Sequence, residues 1–287
     1  MKKAIQVREL ENLEMTLKYA AEAGFNDVSI GFDSSKASMF IGDDYKKKLN
    51  NICELLNKYN LNCVQTHLPA PYHLLVSSET VDEISENMIK RGIEATAVLG
   101  AEWTAYHPRT AISDGYNREK SYEHNKNFLF QYLEYAEKAG VGIAVENMPL
   151  YPYTIPEWRF FGGGYEELCV LCDDIGSDNI GICWDFGHAH TAAINQNSAL
   201  EYIGDKLKIT HIHDNYRNGD HHLLPLLGGD VDIWRSIKWS EVMPSLKKIN
   251  YNGPLTLEIN YPPISILKSF VNMSYDCISS IEELVQK

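Results

Sequence analysis

Residues 137–147 read EKAGVGIAVEN: a helix-forming stretch, a glycine, then a short apolar run that closes on a carboxylate and an amide. Glycine tolerates the left-handed backbone with which many helices end. An apolar, β-rich run bounded by such a residue predicts a buried strand. The same form recurs in EAGFNDVSIGF (22–32), NKYNLNCVQTH (57–67), VLGAEWTAYHP (98–108), SDNIGICWDFGH (177–188), GDKLKITHIHD (204–214) and INYNGPLTLEIN (249–260). With a first strand near KAIQV (3–7), these make eight strand candidates. Helical spacing or helix-former composition fills the intervals near 10–23, 44–59, 79–99, 119–139, 164–175, 195–204, 239–249 and 264–284. Eight alternations over 287 residues fit a closed (β/α)₈ barrel, typically ~250 residues, better than an open sheet. No low-complexity linker or shift in composition divides the chain, so residues 1–287 are read as one domain.

Composition narrows the function. Hydrophobic residues make up 44% of the chain, enough for a substantial core, and no apolar run approaches the ~18 residues that span a bilayer. The opening MKKAIQVREL has no apolar signal region, so the expected location is the cytoplasm. Net charge is −13, from 39 acidic against 26 basic residues, which argues against a nucleic-acid partner held through its phosphates. Cys169 and Cys172 form a lone C-x-x-C within a helical pattern and are read as buried, reduced thiols.

One connection is long: NMPLYPYTIPEWRFFGGGYEEL (147–168), after the fifth strand. It holds Tyr151, Tyr153, Trp158, Phe160 and Phe161, then Gly162, Gly163 and Gly164. Loops of this length are usually functional, and this one is expected to cover the mouth of an active site. The glycine run lacks the Lys-Ser/Thr of a phosphate loop and is read as a turn or hinge.

Six strand candidates end in a group able to bind a metal: His67, His107, Glu146, Asp185, His211 and Glu258. The carboxyl ends of barrel strands converge on one face, where active sites of this fold are built. A lone histidine at a strand end is commonly structural. Glu146 and Glu258, however, follow apolar residues, where an unpaired carboxylate would cost several kcal/mol or take up a proton. A divalent cation removes that penalty. Two Glu, one Asp and one His form a mostly oxygen set, suited to Mn²⁺ and able to hold Zn²⁺, Co²⁺ or Mg²⁺.

The chain resembles the xylose-isomerase-like TIM barrels, a family that includes sugar (and sugar phosphate) isomerases and epimerases and the endonuclease IV type of apurinic endonuclease. The resemblance spans essentially the whole chain. It rests on TH (66–67), YHP (106–108), VEN (145–147), CWDFGHAH (183–190), HIHD (211–214), DHHLLPLLGGDVD (220–232) and GPLTLEI (253–259). For the isomerase and epimerase branch it implies Glu146, Asp185, His211 and Glu258 as ligands of one divalent metal. It also implies Glu146 and Glu258 as the acid/base pair, and His188 and Arg217 as substrate contacts. The endonuclease branch binds three zinc ions through nine ligands, which here would be those four plus His67, His107, His188, Asp220 and His222. In the single-metal branch His67 and His107 are expected to face substrate, and Asp220 and His222 to serve an additional metal or the substrate. The segment 220–232 departs from the D-x-H-L-x-P-G-x-G pattern by an insertion around Leu226 and Leu227.

The expected activity is therefore a metal-dependent ketose epimerase or aldose–ketose isomerase working through a metal-stabilised enediolate. A zinc-dependent phosphodiesterase acting on abasic DNA, a lyase or dehydratase on the same barrel, and a non-catalytic binding module remain alternatives. The expected partners are a small sugar or polyol and further copies of the chain in a homodimer or homotetramer, with neither nucleic acid nor membrane. In ITHIHDNYRNGDHH (209–222), His211 is the expected ligand, His213 and Asp214 are expected to orient neighbours or substrate, and His221 has no assigned task. His73, His124 and His190 are read as exposed or structural, and Trp103, Trp158 and Trp234 are left unassigned.

Overall fold

The helix-to-strand junctions close as the sequence implies. Gly140 ends a helix at φ 72°. Its N–H bonds to Glu137 O, and the next N–H, of Val141, reaches back to Ala136 O. These two bonds satisfy carbonyls that a helix end leaves without partners and turn the chain into the following strand. The same pair recurs at Gly24, Asn60, Gly100 and Asn250.

The computed structural model describes residues 1–8, 12–32, 42–69, 75–76, 83–111, 115–152, 159–225 and 236–286. Eight strands alternate with helices: β1 (Lys3–Val7), β2 (Asp27–Gly31), β3 (Asn62–His67), β4 (Trp103–Tyr106), β5 (Gly142–Glu146), β6 (Ile180–Asp185), β7 (Leu207–Ile212) and β8 (Leu255–Leu257). All pair in parallel, and β8 pairs with β1, which closes the barrel. Single-domain (β/α)₈ architecture is thus as read from the sequence. Among the described residues, no helix is long and apolar enough to cross a membrane.

The helices depart from expectation in instructive places. α1 (Leu13–Ala23), α2 (Tyr45–Tyr59), α3 (Glu83–Val98), α4 (Arg118–Ala139) and α5 (Tyr165–Ile175) follow the sequence pattern closely. Cys169 and Cys172 on α5 are free and buried, and burial pushes their thiols up to about 11 and about 12. A six-residue helix, α6 (Phe186–Thr191), was not legible as a period: it begins where β6 ends, with Asp185 accepting the His188 N–H at 2.6 Å as its cap. α7 (Gln196–Ile203) follows. The helix expected over 239–249 is two, α8 (Trp239–Val242) and α9 (Pro244–Lys248), because Pro244 has no N–H to continue the first and suits the first turn of the second. α10 (Leu267–Val285) starts after a 3₁₀ turn, Ile264–Ile266, that follows two prolines.

Inside the barrel, Ala105, Ala144, Cys183 and Ile209 pack together, with Trp103 against them. Trp103 belongs to the N-terminal end, away from the strand ends singled out above. Its ring lies across Gly142, where a Cβ would come within 2.4 Å of it. The Lys208 stem covers Gly181 in the same way, at 2.3 Å, and its ammonium sits 5.6 Å from the Trp103 ring centre. Two bare backbones therefore let two large side chains plug the floor.

Gly142→Ala forces the Trp103 ring to move, and overpacking of this kind typically costs ~1–3 kcal/mol. The expected outcome is a lower midpoint in urea unfolding with an unchanged m-value. A loss below about 0.5 kcal/mol would show that the floor yields freely.

Candidate metal centre

Alternation along the strands carries the site. One residue pair above Ala144, Cys183 and Ile209 come Glu146, Asp185 and His211, and Glu258 follows β8. All four are buried. His211 Nδ1 lies 3.1 Å from Glu146 Oε1, 2.9 Å from Glu258 Oε2 and 4.0 Å from Asp185 Oδ2. Despite these separations, Glu146 Oε1 and Oε2, Asp185 Oδ2, His211 Nδ1 and Glu258 Oε2 have no hydrogen-bond partner among the described residues. The atoms crowd round a common point without being aligned on one another. Left so, each would cost ~1–3 kcal/mol, more for the charged groups. One ligand atom from each of Glu146, Asp185, His211 and Glu258 falls within 4.8 Å of the others. The donor set fits a divalent cation.

Two further donor groups adjoin it: His67 with Glu146 and His211, and His188 with His213, Asp220 and His222. His67 Nε2 and His107 Nε2 stand 3.3 and 3.1 Å from Glu146 Oε2. Asp220 Oδ2 lies 3.2 Å from His188 Nε2 and 3.0 Å from His222 Nε2. The orientation of these rings is fixed from behind. The Nδ1–H of His67 donates to Leu68 O at 2.8 Å, that of His188 to Asn147 O at 2.8 Å and that of His222 to Glu258 O at 2.7 Å. A carbonyl can only accept, so the tautomer is set and Nε2 faces the centre, the arrangement typical of metal-ligating histidines.

The charges are mutually dependent. Burial would raise the Glu146 carboxyl, but His211 and His107 hold it well below the usual carboxylate range. Burial acts likewise on Glu258, and Arg8 and His211 overcome it. His188 and His211 show the converse: burial favours their neutral forms. Asp185 and Asp220 push His188 well above its ordinary value, and Cys183, Glu146 and Glu258 do so for His211. A bound cation would take over the role of these imidazolium charges and release their protons.

Three residues of the site were missed in the sequence. His213 was read as orienting neighbours or substrate and not as a ligand; its Nε2 reaches Asp185 Oδ1 at 3.1 Å and its ring stacks on His222 with centroids 4.1 Å apart. Its place two residues after His211, just past the end of β7, was the available signal. Gly187 makes room for it, since a Cβ there would meet the His213 ring at 2.0 Å. Asn147 clamps Asp185 with two bonds: its Oδ1 accepts the Asp185 N–H at 2.6 Å and its Nδ2 donates to Asp185 O at 2.9 Å. Arg8, just past β1, donates through Nη2 to Glu258 Oε1 and through Nε to Gln6 Oε1.

A cavity of about 240 Å³ opens in front of the centre, with Arg8, Phe32, His67, His107, Asp220 and Glu258 among its walls. Arg217 is not among the described residues lining it; its Nε–H donates to His190 O at 3.4 Å. Asp214, as expected, organises its surroundings, accepting from the Asn215 N–H, Ser236 Oγ and Trp239 Nε1. His190 is buried. Of the long loop, Tyr151 comes near the centre: burial and the charges of Asp220 and Asp185 push its phenol up to about 12. Phe161 is buried in the core, and the glycine run is a turn in which the Gly163 N–H bonds to Phe160 O at 3.1 Å. Tyr153, Trp158, Trp234, His73 and the insertion at Leu226 and Leu227 lie outside the described residues.

The class defined so far is a (β/α)₈ barrel with a carboxylate–histidine centre at the carboxyl ends of its strands. The chain belongs to the xylose isomerase-like TIM barrel family, whose model matches residues 17–274. An uncharacterised protein of Methanocaldococcus jannaschii is 30% identical over 217 residues, 74% of this chain and 69% of that protein. A probable endonuclease 4 of Staphylococcus saprophyticus is 25% identical over 177 residues, 56% of this chain and 55% of that protein. The solved structure of a D-tagatose 3-epimerase-like protein superposes with a TM-score of 0.76 at 25% identity, covering 100% of this chain and 98% of that one.

Metal titration followed by thermal melting tests the centre. An ion at one hundred times its Kd adds ~2.7 kcal/mol, which should raise Tm by roughly 5–10 °C in a chain of this size. Asp185→Asn keeps an acceptor for the α6 cap but removes the charge, and should abolish the rise. An equal rise in Asp185→Asn would place the ion elsewhere.

Proposed function

We propose that the protein is a divalent-metal-dependent isomerase or epimerase of a sugar or sugar phosphate. The observation that carries this reading is the set of unpartnered donor atoms on Glu146, Asp185, His211 and Glu258, set behind a cavity of small-molecule scale. The likeness to a D-tagatose 3-epimerase-like protein supports it. Those four residues would hold the ion, with Mn²⁺ best suited to the set and Zn²⁺, Co²⁺ or Mg²⁺ able to replace it. When bound, the ion supplies Lewis-acid polarisation of a carbonyl and its neighbouring hydroxyl.

The chain's own groups do the rest. Glu258 forms part of the cavity wall and would take the proton from the carbon beside the carbonyl. Glu146, the second member of the acid/base pair, would return it. His188, His67, His107 and Arg217 would hold substrate hydroxyls, and Asp220 and His222 would hold either hydroxyls or a further ion. The enzyme would work in the cytoplasm as a homodimer or homotetramer.

Candidate ketoses and their phosphates, incubated in D₂O with Mn²⁺, should gain deuterium at C3 or C1. Glu146→Gln and Glu258→Gln should each lower exchange by roughly 10²–10⁴-fold, the usual contribution of a positioned acid or base, with the fold intact. Absence of exchange across the whole panel would falsify the reading.

A second reading has its own observation. The group His188, His213, Asp220 and His222 presents a separate set of ligand atoms, and the endonuclease 4 relative fits a zinc phosphodiesterase with several ions. Elemental analysis of purified protein separates the two. About one Mn or Zn per chain supports the sugar enzyme, and about three zinc supports the phosphodiesterase.

A further inference from the structure

Glu258 has its two oxygens claimed from opposite sides, one of them by a side-chain cation. Oε2 belongs to the metal-ligand group, 2.9 Å from His211 Nδ1 and without a hydrogen bond among the described residues. Oε1 accepts from Arg8 Nη2. Arg8 is in turn held by Gln6, whose Oε1 accepts from Arg8 Nε. Gln6 and Arg8 are alternate residues of one chain segment and so share a face, and β1 runs between β8 and β2 in the barrel. Gly31 at the end of β2 gives the pair its space. A Cβ there would stand 3.1 Å from Arg8 Cγ and 3.4 Å from Gln6 Cδ and Oε1. Three neighbouring strands thus cooperate to place one guanidinium on one carboxylate oxygen.

We propose that Arg8 is a positioning residue that restricts Glu258 to a single metal-ligand oxygen, keeping open a coordination position that the substrate requires. This rests on the metal-dependent reading above. A carboxylate can bind a cation through one oxygen or both. Four protein ligands at one atom each leave two positions on an octahedral ion, enough for two adjacent substrate oxygens. A two-oxygen Glu258 would leave one. A guanidinium suits the task because its planar fork serves Gln6 and Glu258 together, which an ammonium cannot do with the same geometry. As a cation it also repels the ion, so it is not there to strengthen metal binding. That sets the sign of the test.

The probe is Mn²⁺ alone, with no sugar present, on the full chain and its Arg8→Met and Arg8→Lys variants. Three quantities are read: the Mn²⁺ affinity by EPR titration, the number of exchangeable waters on the ion from ¹⁷O-water line broadening, and the Glu258 coordination in Mn²⁺-loaded crystals. In Arg8→Met the waters are expected to fall from two to one, Glu258 to bind through both oxygens, and affinity to hold or rise by up to about tenfold. Arg8→Lys should retain part of the wild-type pattern. Should Arg8→Met fail to fold, Gly31→Ala presses on Arg8 from β2 and should shift the same quantities in the same direction, less far. Unchanged water number with a one-oxygen Glu258 in a folded Arg8→Met overturns the proposal, as does loss of Mn²⁺ binding in that variant. Sugar exchange is a separate readout. A coordination change without any ketose exchange refutes the sugar reading alone, and exchange without a coordination change refutes Arg8's role alone. A wild-type chain that binds no Mn²⁺ overturns both.

Discussion

Glu146, Asp185 and Glu258 each bring a carboxylate oxygen to within 4.8 Å of one another in a buried space. Like charges at that separation in a poorly solvated interior repel strongly, and all three cannot remain ionised without positive charge among them. Much of the architecture at the carboxyl ends of the strands answers this constraint. Histidines surround Glu146 on both oxygens, Arg8 takes one oxygen of Glu258, and Asn147 fixes the main chain of Asp185. Arrangements of this kind are weak contributors to stability, since apolar packing would serve a barrel better. So costly an arrangement is an argument for function.

The fold was legible because its signals are local. A residue tolerant of positive φ stops a helix, and an apolar run of strand length follows; Gly140 and Asn60 show the same two hydrogen bonds doing this. α6 escaped because six residues hold fewer than two helical turns, too short for a period, and because its start is a cap by Asp185, a residue already read as a ligand. Pro244 could have divided α8 from α9 in advance.

The site was legible to the extent that function and strand end coincide. Reading the residue at the end of six strand candidates picked out Glu146, Asp185, His211, Glu258, His67 and His107, which the structure brings together. It could not find His213, which lies one pleat further on, or Asn147, whose side chain works on a neighbouring strand's backbone. Arg8 had the same position relative to β1 that His107 has to β4, but a cation does not register in a search for ligands. Long-range geometry, unlike periodicity, leaves no trace in spacing.

The two glutamates, alike in sequence, are unlike in the structure. Glu258 forms cavity wall, whereas Glu146 is fully buried, with His67, His107 and His188 each within 3.4 Å of its oxygens. A carboxylate has about four lone-pair sites, so Glu258 Oε1 can accept from Arg8 and still exchange a proton on its open side. Charge then ties the metal count to the kind of substrate. With neutral histidines, Glu146, Asp185, Asp220 and Glu258 against Arg8 leave three negative charges around the centre. One divalent ion reduces this to a single negative charge, a field that tolerates a neutral polyol and repels a phosphate. Three ions reverse it to three positive charges, a field that draws a phosphodiester in. A phosphate brought to a one-metal centre of this charge would therefore be disfavoured next to the ion.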